Sequence, residues 1–320
     1  MRRIAGPIER PQNLLGQFRV AHAWDYGRVV AGLKRMAWGF FKKLVVADRV
    51  GVYVNDVFAA PQAFTGLHLT IATVFFAYQI YCDFSGYSDI AIGSAQVLGF
   101  RLSENFNQPY RATSVADFWR RWHLSLSTWF RDYVYVPLGG GRVGAVRWAR
   151  NILVTFGLSG LWHGANWTYV VWGLLNGAYV IAGRATRPLR DACFGFVRVS
   201  EASGLRWLTR WATTMALTGV GWVIFRAQSL GDAGYILTHW ARRWDFSQIV
   251  TQRFYLKHFP PAVAAILVLE IVQWLDQRRP VGPRVAALPF LIRWPAYVGF
   301  VCLIVTFGVF SSDHFIYFQF

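Results

Sequence analysis

The chain has 320 residues, 55% apolar and only 15% charged, with 33 Lys and Arg against 16 Asp and Glu for a net charge of +17. Soluble proteins carry about 25% charged residues, so too little charge remains here to cover a water-facing surface, and 18% aromatic content excludes a disordered chain. Composition therefore points to an all-α, polytopic membrane protein whose apolar side chains face lipid as well as core.

In chain order, the opening Met1-Arg2-Arg3 has no apolar stretch behind it, and membrane insertion is expected to rely on internal helices. Gly27–Ala60 has a helical pattern interrupted by Lys34, Arg35, Lys42, Lys43 and Asp48. Pro61–Cys82 and Asn151–Gly183 carry no Asp, Glu, Lys or Arg. Trp211–Phe225, Pro260–Trp274 (across Glu270) and Trp294–Ser312 complete the apolar runs. A hydrocarbon core of about 30 Å takes about 20 helical residues, which predicts about six to eight spanning or partly spanning helices.

The arginines punctuate these runs, at Arg142, Arg147 and Arg150, then Arg184, Arg187 and Arg190, and at Arg242, Arg243, Arg278 and Arg279. That placement fits loops at headgroup level. It forms no hydrophilic stripe, which excludes nucleic acid as a partner. Cys82, Cys193 and Cys302 form no CxxC pair, and no pattern for a metal site occurs. Gly139, Gly141 and Gly144 satisfy GxGxxG without the strand and helix alternation a dinucleotide fold needs, so a loop is expected there.

His163 is the titratable side chain suited to neutral-pH chemistry in Asn151–Gly183. It lies 13 residues, about 20 Å of helix, beyond Arg150, past the midplane of a core about 30 Å thick. Ionisable residues at such depth usually carry function. The plain alternative is an imidazole that bonds across helices as packing. Gly160 and Gly164 flank it and permit a break or close approach. A neutral imidazole is a suitable general base for a hydroxyl.

His123 lies in a second segment, where Trp119, Trp122, Leu126, Trp129 and Tyr133 share one helical face. This predicts an amphipathic interfacial or re-entrant helix that either lines a cavity mouth or rests among headgroups. Ser125 and Ser127 lack a GxSxG elbow, which disfavours serine catalysis. In Tyr81–Asp89, Asp83 and Ser85 are expected either to cap a helix or to line a polar path. Asn166 opens a formal Asn-Trp-Thr sequon, whose expected burial beside His163 argues against glycosylation.

Together, Ala5-Gly6-Pro7-Ile8, Tyr81–Ala91, Pro109–Tyr133 with Trp119-Arg120-Arg121-Trp122-His123, Leu161–Trp167, Gly221–Ala227 and the ending Phe315–Phe320 resemble the membrane-bound O-acyltransferase (MBOAT) family in its alginate O-acetyltransferase branch. The resemblance implies a ring of tilted transmembrane helices around a central funnel in the bacterial inner membrane. It makes 1–320 a single transmembrane domain, the C-terminal two thirds of the family fold, because the branch carries further helices before Gly-Pro-Ile. It implies His163 as the catalytic histidine and His123 as its supporting histidine. Trp162, Asn166, Asp83, Ser85, Arg120 and Trp119 are then candidates for the substrate path.

The resemblance further implies an acyl thioester or acyl carrier as co-substrate with no bound cofactor or metal, and a polysaccharide acceptor, alginate first. Membrane lipid and periplasmic acetyltransferases of the same pathway are the implied partners. The competing functions are a polymer conduit without acyl transfer, an inactive remnant, and D-alanyl or other acyl transfer to a cell-wall polymer.

Overall fold

The computed structural model describes residues 7–200, 202–245 and 253–310. Ala5-Gly6 and the ending Phe315–Phe320, two of the segments carrying the resemblance, lie outside the described residues. In chain order the main helices are α1 (Tyr26–Phe40), a π-helical stretch (Phe41–Ala47), α2 (Asp48–Ala59), α3 (Gly66–Leu98), α4 (Val115–Trp119), α5 (Leu124–Phe130), α6 (Ala145–His163), α7 (Trp167–Ala185), α8 (Arg187–Phe196), α9 (Gly204–Arg226), α10 (Leu230–His239), α11 (Arg253–Arg278), α12 (Val281–Ala286) and α13 (Phe290–Phe307). No strand occurs among the described residues. The chain divides into two compact units. One is formed by the described residues up to Glu104 and from Ala241 onward, the other by Asn105–Trp240.

In the first unit, α1 packs antiparallel on α3 through glycines spaced seven apart on both helices. A Cβ at Gly39 would come within 2.6 Å of the Gly86 carbonyl oxygen, and one at Gly93 within 2.6 Å of that of Gly32. Small residues let two membrane helices approach this closely. The charges that interrupt the predicted Gly27–Ala60 helix do not break it. Arg35, Lys42, Lys43 and Asp48 are paired instead: Lys42 with Asp89 at 2.5 Å, Lys43 with Asp83 at 2.5 Å and Asp48 at 2.7 Å, and Arg35 with Asp89 at 3.0 Å and Glu104 at 2.5 Å, while Lys34 lies over the Tyr297 ring. The capping role expected of Asp83 or Ser85 is overturned, because α3 runs unbroken past both and ends at Gly99, whose φ is 98°. Both side chains are buried in mid-helix.

Removing one partner of a buried pair strands the other charge, at a typical cost of about 3–5 kcal/mol. Lys43→Ala removes the cation that Asp83 and Asp48 share and is expected to lower the unfolding midpoint in detergent, whereas loss of the exposed Arg131 leaves it within error.

Two helices among the described residues, His258–Arg278 of α11 and Phe290–Phe307, are long and apolar enough to cross a membrane. Leu291, Val298, Val301 and Val305 of α13 all stand exposed, the pattern of a lipid-facing helix. In α11, Glu270 accepts a hydrogen bond from the Tyr78 hydroxyl at 3.3 Å, so this carboxylate is held by α3. The other predicted spans carry more polar side chains along their length or break into shorter helices.

Such a break falls within Asn151–Gly183 of the second unit. This run forms two antiparallel helices, α6 ending at His163 and α7 starting at Trp167. Asn166 caps α7, its Oδ1 accepting from the Thr168 N–H at 3.1 Å. Its side chain is exposed, contrary to the burial expected of the sequon. The two helices touch at Gly160 and Gly173, where a Cβ on Gly160 would collide with the Tyr169 carbonyl. Forcing a larger side chain into a tight contact costs about 1–3 kcal/mol. Gly160→Val is therefore expected to lower the melting temperature and to impair any activity that needs His163, while Gly183→Val, in open space, changes neither.

Candidate active site

The single amphipathic helix predicted around His123 does not form. α4 ends at Trp119, α5 begins at Leu124, and Arg120–His123 turn between them. The cause is a competing partner strand of loop. Asn107 N–H donates to Arg121 O at 2.9 Å, and Leu124 N–H donates to Asn105 O at 2.9 Å, so backbone groups that would extend the helix bond to the loop. His123 sits at this junction with φ at 44°, in the left-handed region that non-glycine residues seldom occupy. Strain of this kind persists where the surrounding structure enforces it.

The Asn105 side chain does that enforcing. Its Oδ1 accepts from the Ser125 N–H at 3.3 Å and the Ser125 hydroxyl at 2.8 Å, and it lies 3.0 Å from His123 Nδ1. A backbone N–H only donates, so the Asn105 atom facing Ser125 is the carbonyl oxygen. The His123 nitrogen facing the same oxygen is therefore the protonated one. His123 is the Nδ1–H tautomer, with its lone pair on Nε2. Asn105 carries no local signal, because it lies in a polar loop whose pairing with His123 exists only in the fold.

His163, at the last position of α6, is 4% exposed. Its ring is framed by Trp162, Trp172, Phe225 and Tyr169, with centroids at 5.0, 5.2, 5.1 and 6.3 Å. Trp162 joins the two histidines, since its ring also lies 6.4 Å from that of His123. The frame has an ordered origin. Phe225 and Trp222 come from the C-terminal turn of α9, and Trp222 stacks on Trp172 at 6.2 Å and lies 4.9 Å from Trp122, next to His123 in sequence. One aromatic cluster, drawn from α6, α7, α9 and the turn before α5, thus carries both histidines.

The remaining candidates divide. Trp119 donates from Nε1 to Asn176 Oδ1 at 3.2 Å and packs edge-on against Trp172 at 5.5 Å, which places it behind the His163 frame. Trp162 is within it. Asn166 is three residues from His163 and acts as a helix cap, and the Arg120 side chain is 73% exposed, 3.7 Å from Asp117. Asp83 and Ser85 belong to the first unit. A cavity of about 880 Å³ also lies in that unit, lined by residues including His22, Arg28, Arg35 and Glu104 and by neither His123 nor His163.

Residues 3–217 match the family described as MBOAT, membrane-bound O-acyltransferase family. The chain belongs to this family. Within it, the chain is 37% identical over 99% of its length to a protein of Pseudomonas putida named "Probable alginate O-acetylase AlgI", of which it covers 66%. A protein of the same name from Azotobacter vinelandii is 43% identical over 72% of this chain and 44% of its own length. The "Peptidoglycan O-acetyltransferase" of Helicobacter pylori is 35% identical over 73% of this chain and 43% of its own length. The chain thus spans between under half and about two thirds of these relatives in the family.

Proposed function

We propose that this chain carries the histidine site of a membrane O-acyltransferase that moves an acetyl group from a thioester donor to hydroxyls of an exported polysaccharide, alginate first. The observation that carries this reading is the buried pair His163 and His123 joined through Trp162 in one aromatic cluster. Relatives named for O-acetylation of alginate and peptidoglycan support it.

In the proposed reaction the His163 imidazole takes the proton of the acceptor hydroxyl as its oxygen attacks the thioester carbonyl. The ester C–O bond forms, the C–S bond breaks, and the departing thiolate takes the proton back from the imidazolium. Neither proton nor electron is left over, and no covalent acyl-protein forms. General base catalysis of this kind contributes about 10²–10⁴-fold. Aromatic walls keep water from the thioester, which limits wasteful hydrolysis. His123, oriented by Asn105, supports His163 electrostatically. Trp162 and Trp119 shape the site, and Asn166 and Arg120 belong to the substrate path.

The same reading makes the protein multi-pass in the inner membrane, with a ring of helices around a funnel and 1–320 as one membrane domain. Its donor is an acyl thioester or acyl carrier, and periplasmic acetyltransferases of the same pathway act beside it. The test is acetyl transfer by the full-length protein in vesicles supplied with labelled acetyl thioester and either alginate or peptidoglycan fragments. Ester formed on alginate, and lost on removal of His163, supports the reading. Ester formed only on peptidoglycan replaces the acceptor, and polymer flux without any ester replaces the enzyme by a conduit.

A further inference from the structure

One end of the second unit concentrates positive charge. Arg147 and Arg150 open α6, Arg184 closes α7, α8 carries Arg187 and Arg190, Arg198 follows it, and Arg206 and Arg210 open α9. Side-chain contacts tie these elements together. Arg184 lies over the Trp148 ring at 4.4 Å, Arg206 over the Phe194 ring at 4.8 Å, and Arg206 pairs with Asp191 at 2.5 Å. Between Tyr133 and Gly231 the acidic residues are Asp191 and Glu201. His163 and Phe225 mark the opposite end of α6 and α9, about 28 Å along the helix axis.

α8 lies at this charged end with no buried residue. Leu189, Ala192, Cys193 and Phe196 fall at i, i+3, i+4 and i+7, one apolar stripe. Leu189 is 67% and Phe196 90% exposed, and Val197 just beyond is 60% exposed. Arg187 and Arg190 stand on the other side of the helix. An apolar stripe edged by arginines is the make-up of a helix lying in the plane of a membrane interface, its stripe among acyl chains and its guanidiniums at phosphate level.

We propose that α8 and the arginines around it dock on the anionic phospholipid headgroups of the cytoplasmic leaflet. Charge selects the partner: eight arginines from Arg147 to Arg210 against Asp191 and Glu201 fit phosphate diesters, and the exposed Leu189 and Phe196 fit acyl chains, which an acidic soluble protein does not supply. The leaflet follows from the excess of positive charge on cytoplasmic loops of membrane proteins. It places the His163 end of α6 toward the opposite leaflet.

Cys193 reports on this directly, because it lies on the stripe and is exposed, while Cys82 is buried. The full chain with Cys302→Ser is labelled at Cys193 with a polarity-sensitive fluorophore and placed in nanodiscs of phosphatidylcholine with or without phosphatidylglycerol. The expected result is blue-shifted emission, quenched by doxyl-labelled lipid, that strengthens with phosphatidylglycerol. Arg187→Gln with Arg190→Gln should lose that preference, by roughly fivefold per arginine. Emission unchanged by lipid composition and insensitive to doxyl lipid overturns the proposal, as does protection of the label by an added acidic carrier protein in nanodiscs without phosphatidylglycerol. Labelling of Cys193 by an impermeant maleimide from the periplasmic side of intact cells overturns the leaflet.

Discussion

Replacing His163 by alanine in the full-length protein is expected to lower acetyl transfer to polymer by about 10²–10⁴-fold, the range that general base catalysis supplies. The substitution opens a space among Trp162, Trp172 and Phe225, so a loss of activity is informative only if the protein stays folded. His163→Gln controls for this, because it keeps polar volume in the aromatic frame and removes the base. Both variants should insert in the membrane and melt near the parent, and both should lose turnover while the thioester still binds. A variant that melts normally and transfers acetyl at the parent rate removes His163 from the chemistry.

The second large effect concerns Asn105. Its side-chain oxygen gathers His123 Nδ1, the Ser125 hydroxyl and the Ser125 N–H, and its backbone oxygen takes the Leu124 N–H. Asn105→Leu removes the acceptor that fixes the His123 tautomer and leaves a buried donor unpaired, which costs about 1–3 kcal/mol in itself. Turnover should fall by roughly 10- to 100-fold, the loss seen when a partner that orients an imidazole is removed. Asn105→Asp separates orientation from packing. It keeps the acceptor and adds a negative charge, which favours imidazolium at His123. Activity should return in part, with the acid limb of its pH profile moved to higher pH. Equal loss in both variants with an unmoved profile would make Asn105 a packing residue only. Ser125→Ala, which removes one of several bonds to Asn105, should have the smallest effect of the three.

Much of this arrangement was legible in the residues because its signals are local. The shortage of charge announced a membrane protein, and the isolated His163 between Gly160 and Gly164 announced a special position. The GxGxxG match resolved into turns at Gly139 and Gly140, whose φ values are 103° and 57°. Three expectations failed for one physical reason, that a distant partner outbids a local pattern. The periodic Trp119–Tyr133 segment breaks because Asn105 and Asn107 capture its backbone groups. Asp83, well suited to a cap, sits in mid-helix because Lys43 on a facing helix pairs with it. The charges of Gly27–Ala60 suggested interruption, yet Asp89 and Asp83 on α3 pair with Arg35, Lys42 and Lys43. Asn105 itself was invisible, since a loop asparagine gains meaning only from the imidazole it meets.

The central claim is direct transfer of the acyl group with His163 as the base, and following a labelled acetyl thioester in single-turnover experiments tests it most closely. The account predicts that without acceptor the label stays on the donor and none becomes bound to protein. With acceptor, it predicts that the label passes to a polymer hydroxyl in the parent but not in His163→Ala. A labelled protein adduct that forms and decays at the rate of turnover, or transfer by the variant at the parent rate, would contradict it.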